Sequence, residues 1–163
     1  MFLFPTYYYK NVQSIPLEEL FRNKIKGIIL DVDNTLIDYK REMPSEIKTW
    51  VAHAKEKGFK ICILSNSNKR DKISHVANEL SIDYFLKAGK PLKKGFKRVL
   101  NHMNLKPEEC VAIGDQIFTD VVGANWMHIV SLYVNPINKK EFWYTKWKRP
   151  IEELILKKYL SKN

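Results

Sequence analysis

Five short apolar runs alternate along the chain with longer stretches whose apolar residues recur at helical spacing, and that alternation leaves few architectures open. The runs are 26–32 (KGIILDV), 60–64 (KICIL), 84–86 (YFL), 110–113 (CVAI) and 129–134 (IVSLYV). Residues that stay apolar at successive positions suit strands buried on both faces. After the first run, Pro44 and Ser45 open a helix with Ile47, Trp50, Val51 and Ala54 on one face and Gly58 as its stop. Further helices are predicted over 69–80, 91–103, 117–126 and 151–160, the first two turning Ile73, Val76, Ala77 and Leu80, then Phe96, Val99, Leu100 and Met103, inward. Strands alternating with helices predict an α/β fold, a parallel sheet of about five strands with helices on both faces. Residues 1–26 and 136–150 carry no pattern strong enough to assign.

A chain of 163 residues is the size of one domain on the usual scale of ~100–200 residues. We expect a single domain over 1–163, with a catalytic core at about 25–134 and a basic, aromatic extension over 135–163. An apolar fraction of 45% excludes intrinsic disorder. Cys62 and Cys110 lie inside strand-like runs, as buried reduced thiols would. No apolar stretch reaches the ~18–20 residues of a membrane span. The opening Met-Phe-Leu-Phe-Pro lacks the basic region of a signal peptide. A cytoplasmic protein is the expectation.

In a sheet of this kind ligands bind beyond the carboxyl ends of the strands, so the residues there test function. The first strand runs into Asp31-Val32-Asp33-Asn34-Thr35 and the second into Ser65-Asn66-Ser67. The third leads to Lys90-Pro91, and the fourth ends in Gly114-Asp115 with Asp120 five residues on. Carboxylates this close repel one another unless a cation neutralises them, and all-oxygen ligands select a hard ion such as Mg²⁺. A cation with a serine, a lysine and backbone N–H groups suits a phosphate dianion. The residues therefore predict metal-assisted phosphoryl transfer. Asp31 is the expected nucleophile and Asp33 the acid, then the base, of a phospho-aspartate mechanism. Ser65, Asn66 and Lys90 are the expected phosphate-binding residues; Asp31, Asp33, Asp115 and Asp120 form the expected metal set. Asn34 and Thr35 would shape the nucleophile loop. Each residue also has a structural alternative: Asp115, Asp120 and Ser65 as helix caps, Lys90 as one more solvated lysine among its neighbours. Histidines 53, 75, 102 and 128 show no metal-ligand spacing.

Four motifs in order, DVDNTL (31–36), LSNS (64–67), KP (90–91) and GDQIFTD (114–120), resemble the haloacid dehalogenase superfamily of phosphotransferases. The resemblance covers about residues 25–134 and implies a Rossmann-like sheet ordered 5-4-1-2-3. Many members insert a cap over the substrate. Here 31 residues separate Asp33 from Ser65 and 24 separate Ser65 from Lys90, room for a helix and a strand each. An open site follows, suited to a protein, a nucleic-acid end or a lipid headgroup. Residues 5–15, the DVDNTL form, the AGKP stretch and Thr145, Arg149 and Glu152 are similar to a capless type III-A branch that includes phosphatidylglycerophosphate phosphatases. That likeness implies removal of the terminal phosphate of phosphatidylglycerophosphate. The alternatives are a soluble metabolite, phosphoprotein or nucleic-acid end as substrate and, more remotely, a non-catalytic phospho-acceptor or binding module.

Charge favours a polyanionic partner. The chain carries a formal charge of +10. Residues 87–98 hold six basic side chains and no acid, and residues 139–163 hold eight basic against three acidic ones, interleaved with Phe142, Trp143, Tyr144 and Trp147. Such a tail would either pack on the core or meet an anionic membrane surface peripherally; single-stranded nucleic acid is the third, weaker candidate. Neither G-x-G-x-x-G nor G-x-x-x-x-G-K-[ST] occurs, which excludes the familiar dinucleotide and P-loop sites.

Overall fold

The computed structural model describes residues 2–138 and 146–162. The strands are β1 (Tyr7–Tyr9), β2 (Gly27–Leu30), β3 (Lys60–Leu64), β4 (Asp83–Phe85), β5 (Cys110–Gly114) and β6 (Val130–Val134). They form one sheet in the order β1-β6-β5-β2-β3-β4, and every neighbouring pair is parallel. The helices are α1 (Leu17–Arg22), α2 (Ser45–Glu56), α3 (Arg70–Leu80), α4 (Lys93–Met103), α5 (Val122–Trp126) and α6 (Arg149–Leu160).

The pleat of each central strand divides its side chains between two cores. Ile28 and Leu30, Ile61 and Ile63, Val111 and Ile113 face the layer built by α1, α2 and α3, where Leu20, Trp50, Val51, Ile73 and Val76 meet them. Ile29, Cys62, Leu64, Cys110 and Ala112 face the other way, onto Phe96, Val99, Leu100 and Met103 of α4 and Ala124 of α5. Burial on both faces is why these strands read as continuous apolar runs. Trp50 also ties the N-terminal segment to α2, since its indole Nε1 donates to the Ile15 carbonyl at 2.9 Å. Gly58 follows α2 at φ +89; the Gly58 and Phe59 N–H groups donate back to Lys55 and Ala54, closing the helix end.

The five expected strands appear in the expected 5-4-1-2-3 order, with a sixth added: β1 pairs with β6 at the sheet edge. β1 escaped the pattern because it is three tyrosines at an edge, none fully buried, so no apolar run marks it. α1 was missed with it; six residues show too little periodicity to read. The predicted 117–126 helix is a π-helical turn (Ile117–Val121) continued by α5, and α6 starts two residues earlier than its pattern indicated. Residues 34–64 and 66–89 supply only α2 with β3 and α3 with β4, so no cap covers the strand ends among the described residues. No helix among the described residues is long and apolar enough to cross a membrane. Phe142, Trp143, Tyr144 and Thr145 lie outside the described residues.

Candidate active site

The carboxyl ends of β2, β3 and β5 open onto a cavity of about 460 Å³ lined by Asp31, Asp33, Ser65, Asn66, Lys72, Lys90 and Lys148, among others. A larger hollow, about 580 Å³, lies at the far side between the N-terminal segment and the β6 region, with His128 as its sole titratable lining residue. The charged side chains gather at the strand ends.

Beyond Leu30 the chain turns back sharply. The N–H groups of Thr35, Leu36 and Ile37 all converge on the Val32 carbonyl, and Asn34 takes φ 61 to make the reversal. Asparagine tolerates that left-handed conformation better than most residues. The turn aims Asp31 into the site and lets the Thr35 hydroxyl donate to Asp115 Oδ1 at 2.9 Å, with Asp31 Oδ2 at 3.3 Å.

Asp31, Asp115 and Asp120 come together, each offering a carboxylate oxygen within 4.8 Å of the other two. Lys90 bridges two of them, 2.8 Å from Asp31 Oδ1 and 2.6 Å from Asp120 Oδ1. Although burial alone would lower it, the Lys90 ammonium is held above its ordinary range by Asp120 and Asp31. It is a site lysine and not a solvated one. Burial pushes the carboxyls of Asp115 and Asp120 up; Arg149 pulls Asp115 back, Lys90 does so for Asp120, and the negative charge of Asp31 works against both. Gly114 lets Asp120 sit where it does. A Cβ there would lie 2.3 Å from Asp120 Cγ.

A buried, all-oxygen set in which the Asp115 and Asp120 carboxyls are pushed up is short of positive charge, so these three residues fit a divalent cation. The Asp33 side chain is outside that set. It points to Lys72 of α3, with Nζ 2.5 Å from Asp33 Oδ1, apart from the other three members of the expected metal set. Burial pushes the Asp33 carboxyl up, the Lys72 hydrogen bond and charge pull it part of the way back, and Asp31 adds to the rise.

Ser65 is buried at the end of β3, its Oγ accepting the Ser67 N–H at 3.1 Å. Asn66 grips the main chain of Lys90: Oδ1 accepts the Lys90 N–H at 2.7 Å and Nδ2 donates to its carbonyl at 3.1 Å. Its side chain thus positions the lysine, while the residue still lines the cavity.

Three side chains at the site were not singled out as functional from the sequence. Lys72 is buried, and its spacing of four before Val76 places it on the inward stripe of α3, a signal that a lysine among apolar residues had a partner inside. Arg149 and Glu152 open α6. Arg149 holds both the Asp115 carboxylate and its main-chain carbonyl, and contacts Glu152 Oε2 at 3.3 Å. Glu152 Oε1 accepts the Phe118 N–H at 3.0 Å. The C-terminal helix thereby clamps the loop that carries Asp115 and Asp120.

Comparison with known families matches residues 43–128 to the haloacid dehalogenase-like hydrolases. A Bacillus subtilis protein named "Probable phosphatase YqeG" is 37% identical over 156 residues, 95% of this chain and 90% of that protein. The phosphatidylglycerophosphate phosphatase 1 of Arabidopsis thaliana is 25% identical over 171 residues, 99% of this chain but 49% of the plant protein. Among solved structures, an uncharacterized protein from Listeria monocytogenes superposes with a TM-score of 0.60 at 20% identity, covering 82% of this chain and 99% of that one.

Proposed function

The chain belongs to the haloacid dehalogenase-like hydrolases and is a phosphatase; from that premise we propose a single-domain, Mg²⁺-dependent phosphomonoester hydrolase that uses a phospho-aspartate on Asp31 to convert phosphatidylglycerophosphate into phosphatidylglycerol. The observation that carries the mechanism is the convergence of Asp31, Asp115 and Asp120 around Lys90 at the strand ends.

Asp31, Asp115 and Asp120 would hold the cation, which when bound supplies shielding between an attacking carboxylate and a phosphate dianion. The remaining chemistry belongs to side chains. Asp31 Oδ attacks phosphorus as the ester P–O bond breaks, and Asp33 delivers a proton to the departing alkoxide. Its raised carboxyl suits the first role, and the alkoxide takes the proton and leaves as the alcohol. Asp33, now ionised beside Lys72, accepts a proton from the water that attacks phospho-Asp31, and the P–O bond to Asp31 breaks to release phosphate. Lys90 and Ser65 would hold the transferring oxygens, with Asn66 fixing the Lys90 main chain.

The lipid substrate is supported by similarity to the plant enzyme over nearly the whole chain, by strand ends left open for a large substrate, and by the basic charge around them. A peripheral position at the cytoplasmic face of an anionic membrane follows from the same reading. The test is Mg²⁺-dependent phosphate release from phosphatidylglycerophosphate in mixed micelles, beside soluble phosphomonoesters, with Asp31→Asn as control. Lipid turnover well above that of soluble esters, lost in Asp31→Asn and in EDTA, is the expected result. Turnover of soluble esters alone refutes the lipid assignment, and full activity of Asp31→Asn refutes the nucleophile.

A further inference from the structure

We propose that the outward face of α6 docks on an anionic lipid surface and brings the open site against it; this rests on, and deepens, the reading of the substrate as a lipid phosphate. The inward face of α6 is accounted for: Arg149 and Glu152 clamp the Asp115 loop, and Ile155 and Leu156 pack against Ile117, Val121 and Tyr133. On the opposite side Ile151 and Leu154 of α6 are 49% and 69% exposed, and Trp147, in the turn just before the helix, is 68% exposed. Single exposed apolar residues are ordinary, but three gathered on a helix and the turn that leads into it are an interaction face.

Charge says what covers it. Residues 146–162 carry six basic and two acidic side chains. Lys146, Lys157, Lys158 and Lys162 are exposed, and one of the acids, Glu152, is buried. Lys158 lies on the same stripe as Ile151 and Leu154, and the Lys148 ammonium sits 5.2 Å from the Trp147 ring centre. A second copy of this face would meet like charge. Trp147 is the one ring beside the aliphatic Ile151 and Leu154 on this face, and a lone ring is no platform for the stacking of successive bases. Apolar residues that enter the headgroup region, flanked by lysines that stay at the phosphates, are the pattern of an interfacial helix.

Position links the face to catalysis. Lys148 lines the same cavity as Asp31 and Ser65, and the next residue, Arg149, holds Asp115. The apolar stripe therefore begins beside the mouth of the site, on an element joined rigidly to a catalytic loop. A phosphate at the level of the headgroups would enter without its lipid leaving the bilayer.

The experiment is flotation of the full chain with vesicles of phosphatidylglycerol and phosphatidylcholine in about equal parts, and of phosphatidylcholine alone, at low and at about 0.5 M salt. Wild type and Asp31→Asn are expected to float with the anionic vesicles at low salt only. Leu154→Glu and Ile151→Ser should each weaken that binding by about tenfold or more while hydrolysing a soluble phosphomonoester at the wild-type rate, which shows that they fold. Absence of flotation with anionic vesicles overturns the proposal, as does flotation unaffected by either substitution. So does a dimer that both substitutions dissociate, without lipid binding. Flotation combined with failure to hydrolyse the lipid would leave this surface standing and remove the substrate assignment, so the two readings fail separately.

Discussion

Replacing Gly114 with alanine adds one methyl group, and the structure says where it goes. The new Cβ would stand 2.3 Å from both Cγ and Oδ2 of Asp120 and 2.6 Å from its Cβ, whereas carbon atoms in contact settle at ~3.5–4.0 Å. Asp120 must retreat by about 1 Å or more, because Gly114 is held in the middle of the sheet between β2 and β6. That retreat pulls Oδ1 from Lys90 Nζ, now at 2.6 Å, and Oδ2 from the Gln116 N–H, now at 3.2 Å. Overpacking of this kind destabilises by about 1–3 kcal/mol, and a shift of ~1 Å in a catalytic array lowers rate by about 10²-fold. We expect Gly114→Ala to fold, to melt several degrees lower, to require more Mg²⁺ for half-maximal activation, and to lose about two orders of magnitude in kcat/KM on a soluble phosphomonoester. Gly58→Ala is the matching control. At φ +89 with no atom within 4 Å of the added Cβ, it strains only the backbone, by ~1–2 kcal/mol, and should leave kcat/KM of folded enzyme untouched. A Gly114→Ala enzyme with wild-type kcat/KM and Mg²⁺ titration would refute the placement of Asp120 in the catalytic array.

Other perturbations read different parts of the same arrangement. Lys72→Met removes both influences by which Lys72 lowers the Asp33 carboxyl, so Asp33 should act more readily as acid and less readily as base; rapid-quench kinetics should show phosphoenzyme accumulating, and an unchanged ratio of the two half-reactions would sever Lys72 from Asp33. Trp50→Phe leaves the Ile15 carbonyl without its buried donor and should destabilise by about 1–3 kcal/mol, read by urea unfolding, with no change in rate per folded molecule. The Cys62 and Cys110 thiols, both pushed up to about 12 by burial, should resist iodoacetamide at pH ~8 in the native protein and react in denaturant; native labelling would place them elsewhere. In EDTA, the raised carboxyls of Asp115 and Asp120 bind protons more tightly folded than unfolded. The stability they contribute is present in acid and lost as pH rises from the usual carboxylate range towards neutrality, so the melting temperature should fall across that window and recover with Mg²⁺. A melting temperature rising through it would reverse the sign of the argument.

How far the sequence discloses this protein depends on which residues leave a local trace. The central strands do, because burial on both faces makes them apolar throughout, as 60–64 and 110–113 show. The residues ending those strands follow from sheet geometry, and Asp31, Asp115, Asp120, Ser65 and Lys90 all meet at one cavity rim or in the carboxylate cluster behind it. What stays hidden depends on partners remote in the chain. Arg149 contributes to the III-A likeness, but nothing local in the sequence says that α6 brings it 34 residues back onto Asp115. Lys72 looks like a charge on a helix surface unless its alignment with Val76 is weighed. β1 exists because β6 offers it an edge, not because three tyrosines favour a strand on their own.

The charges at the rim explain why cation and substrate should favour each other. Counted as ionised, Asp31, Asp115, Asp120 and Glu152 against Lys90 and Arg149 leave two net negative charges, and the Asp33–Lys72 pair adds none. That shell repels a phosphate dianion; burial first, and then the charge of Asp31, raise the two buried carboxyls of Asp115 and Asp120. A divalent cation held by the three carboxylates cancels that excess, and Lys69 and Lys148 at the rim turn the balance positive. Each of the two ligands then raises the affinity for the other by the same factor, as linkage requires. The rim therefore favours a phosphate dianion chiefly when a cation is in place. In that state Asp31, the proposed nucleophile, would face phosphorus shielded, not as one more negative charge.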